Sequence, residues 1–378
     1  KKGFTGTGAY SEKKSERIKL YDSTPEHALD LFASSLVGFL ANPAIKWFSL
    51  KSGNHKLMED TSIKKWYEEA SEILLDAFND EKAGFYPALK SASTDLGAIG
   101  NCAMSIMPGK RSVLSFRAID ISSIYVDIDD EAWIDTVYFP QEITLRQAVM
   151  RFGEDKLSPE AREQYKQKPD GKLKITTVTT PRAVYDPRQK DKLNAPIKQL
   201  IFEDKTSHIL EETGYSEMPI AVGRWDVMSG CLYGEAPSDS AMPDIKMLHI
   251  MQKAIILATE VTLNPPMQGP ADGFMGQIDI SAGAYNARTD ANNRIEPILT
   301  VGNLSVTVDL IRDRQESIRR AFYNDQLQLV GGAQMTATEV MQRTEEKLRL
   351  MAPMIGRVNS ELLGPVISRA FSILLEKG

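Results

Sequence analysis

The chain has 378 residues, of which 42% are hydrophobic and 25% charged, enough for two or three packed domains and too ordinary in charge for a disordered chain. Its net charge is −6 and its pI about 5.5, which argues against tight sequence-specific DNA binding, since proteins that grip nucleic acid carry a basic excess. No apolar run approaches the ~18 residues that cross a membrane, and no signal-peptide pattern opens the chain.

Residues 1–22 are polar, contain Gly3, Gly6 and Gly8, and read as a loose arm. The first residue is Lys1 rather than Met and the chain ends at Lys377-Gly378, so both ends are expected to be truncations. Thr24-Pro25-Glu26 starts a helix, with a cap, a proline at the first helical position and an acid in the first turn. Leu29, Phe32, Leu36 and Phe39 are expected inward until Asn42-Pro43 stops it. A second helix is expected from Ser62 to Phe78 with Trp66, Ile73 and Leu74 inward, and a third from Pro87 to Leu96.

Residues 101–139 change to short β-branched and aromatic runs, Cys102–Met107, Val113–Phe116, Ile124–Ile128 and Asp135–Phe139, read as one antiparallel meander. Thr144 caps a short helix ended by Gly153, and Ser158-Pro159-Glu160 starts another. Strands are expected over Lys172–Val184, Ile197–Phe202 and Ile220–Trp225, with a loop at 186–196. From about 237 the chain turns helical. Met242, Ile245, Leu248, Met251, Ile255, Ala258 and Thr262 mark a rod of ~25 residues, ~40 Å long, ended by Asn264-Pro265-Pro266. Residues 267–303 form a small non-helical insert, and a second helix follows from Ser305 with Val308, Ile311, Ile318 and Phe322 on one side. Gln326–Gln334 is a polar loop holding Gly331-Gly332.

Thr336 and Glu339 are spaced as a capping box for a terminal helix of ~40 residues, ~60 Å. Val340, Leu348, Met351, Ile355, Val358, Leu362, Val366, Phe371 and Leu374 recur at helical spacing. Pro353 and Pro365 should kink it; an ordinary helix broken in two at Pro353 fits the same periodicity. Two helices bracketing an insert make an αα-hairpin with a knob at its tip, which cannot bury both faces alone but could in a ring.

Catalytic chemistry is hard to find. There is no G-x-x-x-x-G-K-[ST], G-x-S-x-G or H-E-x-x-H. His27, His55, His208 and His249 are scattered, and His249 lies in an apolar helical run as a packing histidine. Asp127, Asp129 and Asp130 lack the sixth-position glycine of an EF-hand, since Ala132 occupies it, and read as a solvated strand end. Asn303-Leu-Ser305 fits a glycan acceptor but reads as a helix cap. Cys102 and Cys231 match no metal spacing and read as reduced core residues. No metal or cofactor is expected. On the 305–328 helix Arg312, Arg314, Arg319 and Arg320 balance Asp309, Asp313, Glu316 and Asp325. They can pair along the helix, pair between copies, or form a solvated face. The preceding long helix is slightly acidic (Asp239, Asp244 and Glu260 against Lys246 and Lys253), as is the insert (Asp272, Asp279, Asp290 and Glu296 against Arg288 and Arg294).

Gly223-Arg-Trp225, Tyr233 through Lys246, Asn264-Pro-Pro266 and the run from Met335 to Arg369 together resemble the portal, or head-to-tail connector, proteins of short-tailed double-stranded DNA phages; Leu145–Val149 with Phe152-Gly153 is a weaker echo. The resemblance covers most of the chain and implies an α+β, helix-rich portal fold. In it 1–237 is the wing, 238–263 and 305–328 are stem helices, and 264–304 is the clip. Residues 329–335 are the tunnel loop, and 336–378 the long kinked wing helix. Family members usually continue into a crown, which is not expected within these residues. The resemblance further implies a ring, typically of twelve subunits, at a capsid vertex of the virion, assembled in the bacterial cytoplasm. Its partners would be the terminase large subunit, tail adaptor and tail tube proteins, and major capsid and scaffolding proteins. Double-stranded DNA would pass through without sequence specificity, and no membrane or enzyme activity is expected. Candidate DNA-facing residues are Gln328, Val330, Gly331, Gly332 and Gln334. Candidate inter-subunit charges are Arg312, Asp313, Arg314, Glu316, Arg319 and Arg320. Candidate clip contacts are Asp272, Phe274, Tyr285, Arg288 and Arg294. The competing classes are a non-catalytic helical scaffold or adaptor that does not handle DNA, and an enzyme with an unfamiliar site.

Overall fold

A computed structural model describes residues 20–186, 191–263, 267–268, 296–297, 305–327 and 351–377. The fold is α+β, with antiparallel sheets and many helices. Its contacts divide it into two units, one of residues 1–16, 26–240 and 321–378, the other of 17–25 and 241–320.

The first unit begins with α1 (Thr24–Leu40), α2 (Thr61–Asn79) and α3 (Phe85–Ile99). The start at Thr24 holds, and Asp22 Oδ1 accepts the Thr24 amide at 2.7 Å. The inward stripe of α1 is Ala28, Phe32, Leu36 and Leu40, while Phe39 is exposed. In α2, Ser71, Leu74 and Phe78 are buried, but Trp66 and Ile73 face out. Periodicity placed Leu74 correctly but not Trp66 and Ile73, because α2 has apolar residues on more than one face.

Strands β1 (Asn101–Pro108) and β2 (Leu114–Ile119) form a hairpin that pairs, through β1, with β8 (Ile220–Arg224). This corrects the single meander. The turn at Ile121–Ser123, capped by Asp120, redirects the chain. Strands β3 (Tyr125–Ile128) and β4 (Ile134–Thr144) then open a different, five-stranded sheet, completed by β5 (Lys172–Pro181), β6 (Ile197–Glu203) and β7 (Ile209–Tyr215) in sequential antiparallel order. Strand β5 stops at Pro181, short of the expected Val184. Strand β7 was not anticipated, since Glu211-Glu212-Thr-Gly214 lacks an apolar alternation. Pro140 is tolerated inside β4 because β3 pairs only as far as Tyr138, so its missing N–H breaks no ladder on that side.

Between β4 and β5 run α4 (Leu145–Phe152) and α5 (Pro159–Gln167). Thr144 and Gln147 exchange both bonds of a capping box, at 3.3 and 3.1 Å, and Ser158 caps α5 ahead of Pro159, as expected. These helices bury Leu145, Ala148, Phe152, Leu157 and Ala161 against Ile143, Leu173, Ile175, Ile201 and Leu210. A second cluster, of Ala103, Ile220 and Val222 with Val126 and Val137, packs the two sheets together.

The second unit holds most of α6 (Pro237–Leu263) and α7 (Ser305–Ala321). Helix α6 is 27 residues long despite Pro243 inside it. Between them β9 (Met267–Gln268) pairs antiparallel with β10 (Glu296–Pro297), closing the base of the insert. The helix expected over 305–328 instead ends at Ala321. Tyr323 takes a left-handed φ of 56°, and a short α8 (Asn324–Leu327) follows. The terminal helix is described as α9 (351–358), a π-helical turn Asn359–Leu363 and α10 (Gly364–Lys377). Pro365 accounts for the widened turn: it offers no N–H to the Glu361 carbonyl and its ring crowds that carbonyl. Whether the helix continues upstream of Pro353 as one rod lies outside the described residues.

Candidate functional site

Gly223-Arg-Trp225 ends β8, and each residue fastens something different. Gly223 has no room for a side chain: a Cβ there would stand 3.1 Å from Leu362 Cβ and 3.3 Å from Cys102 Sγ. The terminal helix therefore lies directly on the strand. Arg224 donates Nε to Glu361 Oε2 at 3.0 Å and Nη2 to Oε1 at 2.7 Å, a bidentate fork, and its backbone amide donates to the same carboxylate at 3.1 Å. Nη1 also reaches the carbonyl of Leu232 (3.2 Å) and Nη2 that of Ala132 (2.9 Å). Both charged side chains are buried, and the pair is tolerable there because the carboxylate takes three bonds and four of the five guanidinium N–H groups are used. Trp225 is buried edge-on against Phe32 at 5.0 Å and lies 6.0 Å from Tyr323. Its amide donates to the Gly100 carbonyl at 2.8 Å.

The stretch after Tyr233 is fixed in the same place. Gly234 accepts from Asn101 Nδ2 and donates to Asn101 Oδ1, at 3.1 and 2.8 Å. Gly100, at φ +77°, packs so closely that a Cβ would fall 2.4 Å from the Gly234 oxygen. Ser238 Oγ donates to the Ala98 carbonyl and Asp239 accepts the Ala236 amide, which anchors the start of α6. Burial pushes the Cys102 thiol far up, so it stays protonated beside Gly223. An open cleft of about 820 Å³ lies beside the ion pair, lined by Trp133, Met228, Cys231, Leu232, Arg357 and others, and no histidine enters it. Among the described residues no three His, Cys, Asp or Glu side chains gather as a metal site, and no helix there is long and apolar enough to cross a membrane.

The α6–α7 unit is held by two polar clasps. Asp244 accepts from Arg314 Nη1 at 2.9 Å and Ser317 Oγ at 2.6 Å. Asp22 accepts from Gln315 Nε2 at 2.8 Å and Gln252 Nε2 at 3.0 Å. The bond from Ser317, with Arg314 beside it, holds the Asp244 carboxyl below the usual range. For Asp22 burial pulls the carboxyl up, but the bonds from Thr24, Gln315 and Gln252 outweigh it and leave it lowered. His249 packs its ring against Tyr21 at 4.9 Å, the packing role expected of it.

Of the candidate inter-subunit charges, Arg314 is spent within its own chain on Asp244. Arg320 pairs with Glu316 at 3.2 Å and Arg312 with Asp309 at 3.9 Å, both along the helix. Arg312, Asp313, Glu316, Arg319 and Arg320 are exposed. Asp129 is less a loose strand end than a turn-former: its Oδ1 accepts the amides of Glu131 and Trp133. Cys102 is the buried residue expected, whereas Cys231 is exposed. The candidates Gln328, Val330, Gly331, Gly332 and Gln334, and Asp272, Phe274, Tyr285, Arg288 and Arg294, lie outside the described residues, as does Asn303. Sequence reasoning missed Glu361; its one local signal is a carboxylate beside Leu362-Leu363, four residues before a proline.

Residues 1–378 match the family model for the bacteriophage head to tail connecting protein. The chain is 30% identical over 378 residues to a probable portal protein of Bordetella phage BPP-1, covering 97% of this chain and 67% of that protein. It is 27% identical over 369 residues to a portal protein of Salmonella phage epsilon15, covering 95% and 66% respectively. It thus spans about two thirds of the length of these relatives. The chain belongs to the bacteriophage head-to-tail connecting proteins. Its function is that of a portal, a structural link with the capsid on one side and the tail on the other, and a non-catalytic helical scaffold or adaptor that does not handle DNA is not favoured.

Proposed function

We propose that copies of this chain close into a ring of about twelve around a channel for double-stranded DNA at one capsid vertex. The observation that carries the ring is the outer side of α6. Met247, Ile250 and Leu257 are 53%, 68% and 50% exposed and, with Ala254 and Val261, repeat at alternating steps of three and four. A second, inward stripe contains Ala241 and Leu248, both buried. A helix apolar on two sides is stable only when both are covered, and a neighbouring copy supplies the second cover.

In this reading α6 and α7 are the stem, 264–304 is the clip that meets the terminase large subunit and then the tail adaptor, and 329–335 is the loop at the DNA. The α/β body with the terminal helix is the wing, set among capsid and scaffolding proteins. The net charge of −6 suits a conduit: each neutralised phosphate adds affinity through counterion release, so a continuous basic wall would hold the duplex instead of passing it. Light scattering on purified protein should give about half a megadalton, against 42.0 kDa for one chain, and averaged images down the particle axis should show a central hole. A stable single chain at high concentration overturns the ring, and a potential map with a continuously basic lumen overturns the conduit.

A further inference from the structure

The five-stranded sheet has one face buried under α4 and α5 and the two-sheet core. An antiparallel sheet that leaves its other face to water ordinarily makes that face polar. Here the register puts an apolar block on it. Tyr125 faces Tyr138, Tyr138 faces Val178, and Val178 faces Leu200. In the adjoining row Pro140 faces Thr176, Thr176 faces Phe202, and Phe202 faces Ile209 beyond the β6–β7 bulge. Tyr125, Tyr138 and Ile209 are 62%, 38% and 55% exposed. With strands ~4.8 Å apart, the first row alone spans about 14 Å, enough to seat a helix about 10–12 Å across with its side chains.

Charge on this face is unevenly committed. Glu142 pairs with Lys172, Glu212 with Arg182, and Asp204 accepts from Thr176 Oγ1. Lys174 and Lys198 share the face and form no ion pair among the described residues. Lys198 sits opposite Thr180, so the two lysines stand on either side of the block six positions apart along the strands, roughly 20 Å at ~3.3 Å per residue.

We infer that this face docks an amphipathic helix of a partner protein, one whose apolar stripe is bounded by a carboxylate at each end, about 13 residues apart at 1.5 Å per residue. The stripe covers Tyr138, Val178, Leu200 and Phe202, and the carboxylates meet Lys174 and Lys198. The inference does not depend on the number of copies in the ring.

The probe is a labelled synthetic helix of about 18 residues with such a leucine stripe and a glutamate at either end; its control carries lysines instead. Anisotropy with the assembled protein should show binding of the acidic peptide, weakened by salt, and none of the basic one. Lys174→Glu with Lys198→Glu should weaken it about tenfold without changing the melting temperature or the assembly mass. Equal binding of both peptides, or no binding, overturns the inference. So does a Tyr138→Asp variant that dissociates the assembly, because a second copy would then be the occupant. Light scattering on the same samples keeps the two readings apart: a lone chain that binds the acidic peptide breaks only the ring, and a ring that ignores it breaks only this site.

Discussion

The body and the helix pair spend their apolar residues in opposite ways. In the body they are turned inward and interlocked, with Phe78, Phe85 and Phe116 in mutual ring contact at 4.6 to 5.2 Å and Trp225 edge-on to Phe32. In α6 Met247, Ile250 and Leu257 point out, while carboxylates hold the pair together from within its own unit. The first arrangement makes a part that is stable by its own contacts, and the second makes a part that waits for a neighbour. A protein that must be one subunit of a larger object divides its sequence along that line.

The largest test of the contrast is to put charge on the waiting surface. Ile250→Glu with Leu257→Glu should reduce the assembly to single chains by light scattering, while near-ultraviolet circular dichroism of the body's aromatic core stays unchanged. If the variant still assembles, the outward stripe of α6 is not the contact. Next in size is the lock. Glu361→Ala leaves the Arg224 guanidinium buried without its carboxylate, and breaking such a pair costs about 3–5 kcal/mol. The double variant Arg224→Met with Glu361→Leu should recover much of that in denaturant unfolding, because an apolar pair strands no charge. A smaller loss, about 1–3 kcal/mol, is expected for Gly223→Val, whose side chain must push against Leu362 and Cys102. A loss as large as that of Glu361→Ala would mean that the close contact of helix and strand outweighs the ion pair.

Local signals were legible and distant pairings were not. The Thr144 cap and the Ser158-Pro159-Glu160 start are read from adjoining residues, and the structure places both caps where the sequence put them, adding Gln147 to the first. The expected meander breaks between β2 and β3, which lie in different sheets, and β1 takes as its second neighbour β8, more than a hundred residues on, which nothing near Asn101 announces. Glu361 escaped for the same reason: its partner Arg224 is 137 positions away, and each taken alone is an ordinary charge. The Gly223-Arg-Trp225 motif stood out by resemblance, yet its physical sense needed the helix that presses on it. Tyr323 ended the second long helix early because a left-handed residue between Phe322 and Asn324 leaves no trace in apolar spacing.

The smallest effect separates the two regions by acid. Asp244 is partly exposed, so solvent screening limits its clasp with Arg314 and Ser317 to less than about 1 kcal/mol. Its carboxyl titrates lower in the folded chain than in the unfolded one, where the ordinary value is near 4. The clasp therefore contributes fully above about pH 4 and is lost as pH falls through the depressed folded value. Asp22, lowered as well, adds a contribution of the same sign in the same window. Asp244→Asn should consequently be less stable than the parent at neutral pH, with the gap closing on acidification until the two melt together. A gap that stayed constant down to pH 2 would assign the loss to the geometry of the Ser317 bond rather than to charge, and the helix pair would then be held by shape as the body is.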